Sequence, residues 1–228
     1  MAADDTLVAS FERCLELGVT SFDHADIYGG YTVEALFGEA LALSPSLRSR
    51  LQIVTKCGIR TVSPRRPQHR INSYDSSREH VLASVHESLR ALRTDHLDLL
   101  LIHRPDALMD PDELADTFLG LQAAGKVRAF GVSNHSPSQL AMLHRRHPLV
   151  TNQIEFSPLQ MRALADGTLD QCTDLGLRPM IWSPLGRGRL FAADDLQAQR
   201  VRAVLEDLAR GHGTSLATMA YAWILRHP

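Results

Sequence analysis

Six short apolar runs in this sequence, at 19–23, 51–56, 97–103, 127–133, 149–155 and 178–183, each carry a polar group at or near the end. The groups are Asp23, Lys56, His103, Ser133 with Asn134, Gln153 and Ser183. A carboxylate, an ammonium and an imidazole hold and move protons, while hydroxyls and amides hydrogen-bond a small polar ligand. One polar end means little, because every run must stop somewhere; six of six marks a rim. Asp23, His24, Asp26 and His103 are also the residue types that a metal-dependent barrel hydrolase would use. Strand alternation turns Asp23 and His24 to opposite faces, however. No second histidine stands near His103 to share a metal.

Between the runs lie segments of helical period. Leu7, Phe11, Cys14 and Leu15 share one face of a helix that opens at Thr6, and Gly18 stands where a C-terminal glycine cap belongs. Ser76 with Glu79 reads as a capping box before Val81, Leu82, Val85, Leu89 and Leu92. Asp110 and Pro111 are an N-cap followed by proline at the first helical position, with Gly125 closing that helix. Ser136 and Pro137 repeat the opening. Leu169, Cys172 and Leu175 precede Gly176, and Val201, Val204, Leu205 and Leu208 precede Gly211, the expected end of that helix. A last amphipathic run holds Leu216, Met219, Ala220, Trp223 and Ile224.

Strand–helix alternation implies parallel strands with right-handed crossovers, in either a doubly wound sheet or a (β/α)8 barrel. No glycine-rich turn of the G-x-G-x-x-G kind follows any run, which weakens the doubly wound option. Polar groups gathered at the carboxyl ends of the strands favour the barrel. One connection, 58–75, lacks periodicity and holds Arg60, Arg65, Arg66 and Arg70. It reads as a rim or lid over the mouth of the site, with a disordered basic loop as the plainer alternative.

Composition narrows the class. The chain has 228 residues, 44% hydrophobic and 22% charged, values that exclude disorder, collagen-like repeats and coiled coil. A formal charge of −2 gives no support to a nucleic-acid or anionic-membrane partner. No apolar run approaches the length of a membrane span, and the acidic start is unlike a signal peptide. Cys14, Cys57 and Cys172 are odd in number and fit no zinc spacing, so the expectation is reduced thiols in a cytoplasmic protein.

The residues from Phe22 to Gly29, reading FDHADIYG, resemble the aldo-keto reductase signature after the second barrel strand. Ile53 to Lys56 (IVTK), Asp98 to His103 (DLLLIH), Gly131 to Asn134 (GVSN), Asn152 to Glu155 (NQIE) and Trp182 to Gly186 (WSPLG) match its later strands in order. The resemblance covers essentially the whole chain. It implies a catalytic tetrad of Asp23, Tyr28, Lys56 and His103, and hydride transfer between a nicotinamide cofactor and an aldehyde or ketone. The chemistry suits the residue types. A phenol is a poor acid near neutrality, and a neighbouring ammonium favours the phenolate. Asp23 would hold Lys56 charged and in place, and His103 would orient the carbonyl oxygen. His24 is left to packing or to supporting hydrogen bonds.

The same resemblance assigns cofactor contacts. Ser133, Asn134 and Gln153 would hold the nicotinamide carboxamide, Trp182 would stack on its ring, and Ser183, Leu185, Gly186 and Arg187 would pass over the pyrophosphate. NADP is implied, with NAD left open, and the partner is a small carbonyl substrate whose identity the sequence does not reveal. Two features depart from the pattern. Counterparts of the first and eighth strands are missing, so the expected fold class is α/β, a (β/α)8 TIM barrel with six of eight strands recognisable. Two strands supply on the order of 10 kcal/mol, comparable with a whole domain's net stability. The expectation is therefore a single barrel domain over 1–228 truncated at both ends, or one whose seam is filled by another segment or chain. A non-catalytic cofactor-binding module on the same scaffold, or an inactive fragment, stands as the alternative function. The oligomeric state is not legible.

Overall fold

Helix ends and strand register, more than bulk burial, decide where the functional groups stand. The computed structural model of the chain describes residues 5–192 and 194–228, so the acidic opening at residues 1–4 lies outside the described residues. It falls into two compact units, one ending at Val150 and the other beginning at Thr151.

The first unit runs α1 (Asp5–Glu16), β1 (Ser21–Asp23), α2 (Val33–Leu43), β2 (Gln52–Cys57), β3 (Ile59–Arg60), β4 (Ser73–Tyr74), α3 (Arg78–Ala91), β5 (Leu97–Ile102), α4 (Pro111–Ala123), β6 (Val127–Ser133) and α5 (Pro137–His144). Strands β1, β2, β5 and β6 are neighbours in that order, each paired in parallel with the next. Asp23 lies opposite Val54, Lys56 opposite Leu101, and Ile102 opposite Val132. Because parallel strands end on the same side, this register brings the carboxyl ends of β1, β2, β5 and β6 to one rim. The ladder continues past the strand ends. The Asp26 N–H donates to the Lys56 carbonyl at 3.0 Å, and the His103 N–H to the Cys57 carbonyl at 2.8 Å.

The second unit runs β7 (Asn152–Glu155), α6 (Thr168–Asp174), β8 (Met180–Trp182), α7 (Arg189–Ala192), α8 (Leu196–Gly211) and α9 (Leu216–Leu225), with β7 and β8 parallel. Its apolar residues form two clusters. One gathers Ile154, Phe156, Ala163, Leu169 and Ile224, and the other Leu159, Leu190, Ala198, Leu205 and Ala220. All six expected parallel strands are thus present among the described residues, and the fold is α/β.

Several boundaries differ from the sequence reading for identifiable reasons. β1 starts at Ser21 rather than at 19, because the Val19 N–H turns back to the Cys14 carbonyl at 2.9 Å. That bond, with Gly18 at φ +78, closes α1 in a Schellman motif. α8 ends the same way, but its left-handed residue is Gly213, not Gly211. The Thr214 N–H reaches the Ala209 carbonyl at 2.9 Å, and Gly211 is still helical. α3 is capped by Ser77, whose hydroxyl accepts from the His80 N–H; Ser76 instead gives both its N–H and its hydroxyl to Asp106 at 2.9 Å. Asp110 and Ser136 cap α4 and α5 as expected, the latter in a reciprocal box with Gln139. The 58–75 connection, read as structureless, carries the antiparallel hairpin of β3 and β4. Asp98, the charge inside the apolar run of β5, accepts from the Ile53 N–H at 2.9 Å, Arg48 at 3.0 Å and Arg128 at 2.7 Å.

Two places in the first unit generate measurable expectations. On α2, a Cβ added at Gly38 would lie 2.1 Å from the Ala91 carbonyl oxygen and within 3 Å of Leu92 backbone atoms. Alanine is the better helix former by about 1 kcal/mol. Overpacking against rigid backbone costs about 1–3 kcal/mol and outweighs it. Gly38→Ala is therefore expected to lower the denaturant midpoint, whereas the same change at the open helical Gly120 should raise it.

The second place is behind β2. Asp26 is buried, hydrogen-bonded to the Ile27 N–H and Ser84 while Oδ1 has no partner among the described residues. Burial, and then the nearby Glu34 carboxyl, push its pKa up to about 8. The unfolded chain releases this proton near the ordinary carboxylate pKa of 3.8, so the folded state binds the extra proton between about pH 4 and 8. Its stabilising contribution is complete below that window and is lost as pH rises through it. Buried His24, His103 and His135, with pKa values lowered to about 4, 3 and 4, act with the opposite sign, but only below about pH 6.5. Stability should accordingly fall between pH 6.5 and 8, by at most about 2 kcal/mol. Asp26→Asn should flatten that fall in equilibrium unfolding measured at both pH values.

Candidate active site

Lys56 is the centre of the site and its side chain is 1% exposed. An ammonium offers three donors, and all three find acceptors. Nζ donates to Asp23 Oδ2 at 2.8 Å, to the His24 carbonyl at 2.8 Å and to the Tyr28 hydroxyl at 3.3 Å. The acceptors come from the end of β1 and the turn after it, both within reach because β1 pairs with β2 in register. Lys56 Nζ also lies 5.0 Å from the centroid of the Tyr28 ring.

Tyr28 is held by its turn. Its N–H donates to the Ala25 carbonyl at 3.0 Å, and its own carbonyl accepts from the N–H groups of Thr32 and Val33. Tyr28 is 38% exposed as a residue, while its hydroxyl touches the buried ammonium. His103, the first residue past β5, meets that ring edge-on at 5.9 Å and 80°. It is buried, and burial first, then the Lys56 and Arg104 charges, lower its pKa to about 3. His103 is therefore neutral at ordinary pH, and its Nδ1 has no hydrogen-bond partner among the described residues. The structure thus brings Asp23, Tyr28, Lys56 and His103 into one constellation.

His24 does turn away from Asp23, packing edge-on against Phe37 at 4.4 Å. Its backbone carbonyl is a Lys56 acceptor, a role that no residue type in the sequence signals. Burial lowers the His24 pKa to about 4. At the end of β6, Ser133 is buried and its hydroxyl accepts from Asn134 Nδ2 at 2.7 Å. Asn134 sits at φ +58, a region that asparagine tolerates better than most residues.

In the second unit, Gln153 is buried on β7 and Trp182 is partly buried at the end of β8. Ser183 adopts φ +52 and its carbonyl accepts from the Gly186 N–H at 2.9 Å. Leu185 packs on the Leu159 cluster. Arg187 is engaged within the unit. Nε and Nη2 form a two-pronged bond to Glu155 at 3.0 and 3.1 Å, and its guanidinium lies 4.9 Å from the Trp182 ring centroid. Glu155 had no assigned role in the sequence reading, although its place at the end of β7 was the available signal.

Residues 2–228 match the Aldo/keto reductase family. The chain is 54% identical over 226 residues to the oxidoreductase YdhF of Escherichia coli, covering 97% of this chain and 74% of that protein. It is 44% identical over 222 residues to a 6-dehydroglucose reductase of Agrobacterium fabrum, covering 96% and 74%. Among solved structures, the glycerol dehydrogenase of Gluconobacter oxydans superposes with a TM-score of 0.84 at 28% identity, over 98% of this chain and 74% of that one. An aldo/keto reductase of Klebsiella pneumoniae, solved in complex with NADP and acetate, gives 0.77 at 28% identity, over 97% and 71%. With six of its parallel strands recognisable here and the family pattern running through every one of them, this chain belongs to the aldo/keto reductase family of oxidoreductases.

Proposed function

We propose that the chain reduces small aldehydes or ketones, or oxidises the corresponding alcohols, with NADP(H), and that Tyr28 donates the proton. The observation that carries this reading is the three-way bonding of Lys56 Nζ to Asp23, the His24 carbonyl and Tyr28. NADP is supported by the Klebsiella relative, and the donor set suits a nicotinamide. Ser133 and Asn134 in the first unit offer a hydroxyl and an amide at a strand end. The second unit offers the Gln153 amide, an indole face at Trp182, and the Ser183, Leu185, Gly186 and Arg187 loop for phosphate. When bound, the cofactor supplies the hydride.

The chain's own groups account for the rest. As negative charge builds on the carbonyl oxygen, the Tyr28 hydroxyl gives it a proton. The phenolate left behind is stabilised by the Lys56 ammonium 3.3 Å away, in a pocket where charges interact more strongly than in water. Asp23 and the His24 carbonyl hold that ammonium in place. His103, neutral, carries one N–H donor with which to orient the carbonyl oxygen. A charged imidazole beside Lys56 would add a second cation to a buried site.

The direct test follows NADPH absorbance with a reactive aromatic aldehyde. Tyr28→Phe and Lys56→Met are each expected to cut kcat by about 100-fold or more, the usual worth of a positioned proton donor, while NADPH binding is retained. Wild-type rates from Tyr28→Phe would overturn the assignment. A separate expectation concerns pH. With its pKa near 3, His103 does not titrate between pH 5 and 8. The wild-type and His103→Gln profiles should differ in height but run parallel over that range; an acidic limb near pH 6.5 present only in the wild type would contradict it.

A further inference from the structure

Three residues past Tyr28 stands a second phenol that the reaction above does not use. Tyr31 sits at φ +70, a left-handed conformation that a side chain with a Cβ adopts at a cost and keeps only where its surroundings over-determine it. Its hydroxyl accepts from the Thr61 N–H at 3.0 Å and from Thr61 Oγ1 at 3.1 Å, and lies 3.4 Å from His69 Nδ1. The guanidinium of Arg66 covers its ring, 4.6 Å from the centroid. Thr61, Arg66 and His69 all belong to the 58–75 connection. That connection leaves the carboxyl end of β2 directly after Lys56 and Cys57, at the rim where Asp23 and His103 also emerge. At the other end of the same short turn, the Tyr28 carbonyl is fixed by Thr32 and Val33. One strained residue therefore joins the turn of the reacting phenol to the loop beside it.

The loop has little else to hold it there. Val62 and Ile71 are 58% and 72% exposed, so apolar burial does not pin it. Beneath it lies an open cavity of about 310 Å³ lined by Asp26, Tyr31, Arg66, His69, Ser84 and Glu87 among others, rather than a packed core. Arg60 and Asp75 tie the base of the hairpin, and Val62 and Asn72 tie it internally. The Arg66–Glu87 pair at 3.7 Å reaches α3, not the Tyr28 turn. A segment held by a few polar bonds and little buried apolar surface opens locally at small cost.

We propose that Tyr31 is a positioning residue, locking the 58–75 loop against the Tyr28 turn and so fixing the rim against which the carbonyl substrate binds. The inference rests on the reductase reading of Tyr28 and adds a determinant of substrate binding to it. Because the lock shapes the mouth and leaves the Lys56–Tyr28 contact intact, it acts on KM more than on kcat.

Tyr31→Phe removes only the hydroxyl. It is expected to raise KM for an aromatic aldehyde about three- to tenfold, the worth of one net hydrogen bond, with kcat within about twofold and NADPH affinity unchanged. Native-state trypsin should also cut faster after Arg65 and Arg70 within the loop. Thr61→Val removes only the Oγ1 bond and leaves the backbone N–H bond to Tyr31, so it should move both readouts in the same direction by a smaller amount. The double variant should be no worse than Tyr31→Phe, since loss of the hydroxyl already removes the acceptor of both Thr61 bonds. An unchanged KM with unchanged nicking, or a loss confined to kcat, would overturn the proposal. If Tyr31→Phe does not fold, Thr61→Val decides by the same criteria. A wild-type chain that reduces no carbonyl removes the reductase reading and the positioning role with it, while faster nicking of Tyr31→Phe would still establish the tether.

Discussion

A fully buried ammonium constrains this protein more than any other single group. An unpartnered charge in that position would be costly enough to unseat the local structure. Lys56 avoids that only because three acceptors, from a strand end, a backbone carbonyl and a turn, meet one nitrogen at 2.8–3.3 Å. Their meeting depends on the parallel register of β1 on β2. A slip of one residue would put Thr55 or Cys57 where Lys56 stands and turn the ammonium to the other face. The interaction that would activate a phenol is therefore also one that specifies the fold.

Alternation along β2 does a second job. Lys56 faces Asp23 and Tyr28, while its neighbour Thr55 bonds Glu34 Oε1 at 2.6 Å on the opposite side. Glu34 and Asp26, both carboxyls that burial drives toward the protonated form, thus lie behind the strand rather than on the face of Lys56. Cys57, buried and with its thiol pushed well up by burial and by the same carboxyls, is inert as a nucleophile there. The site keeps one strong charge pair, flanked by a histidine that burial holds neutral. In such a place a developing oxyanion meets fixed donors instead of mobile counter-charges.

What the sequence made legible follows from what local chemistry determines. Apolar period and capping residues announced the six parallel strands and most helices, and polar strand ends announced the rim, because both are set by residues adjacent in the chain. Choices between equivalent neighbours were not legible. Ser76 and Ser77 are chemically the same cap, and only the distant Asp106 claims the first. Gly211 and Gly213 are the same glycine until the Thr214 N–H selects its carbonyl. The β3–β4 hairpin escaped notice because each of its strands has two residues, too short for any period. α2 gave no clear stripe because its sequence is apolar on several sides. Backbone acceptors such as the His24 carbonyl carry no residue signature at all.

Arg187 shows how the situation of a residue can go beyond what its type and place in the chain suggest. Arginine after a strand-end tryptophan suggests phosphate, yet its fork lies on Glu155 and its plane on Trp182. The two descriptions are compatible on energetic grounds. The Arg187 side chain is 62% exposed, and an ion pair so open to water is worth about 0–1 kcal/mol. A doubly charged phosphate group competes for the same planar fork with more charge than one carboxylate offers. Nη1 also remains outside the Glu155 bond. Glu155 therefore keeps the guanidinium ordered at the end of β7 without fixing it there, which would lower the entropic cost of engaging an anion. Lys56 is the opposite case: it is buried, and its three bonds have no cheap exchange partner.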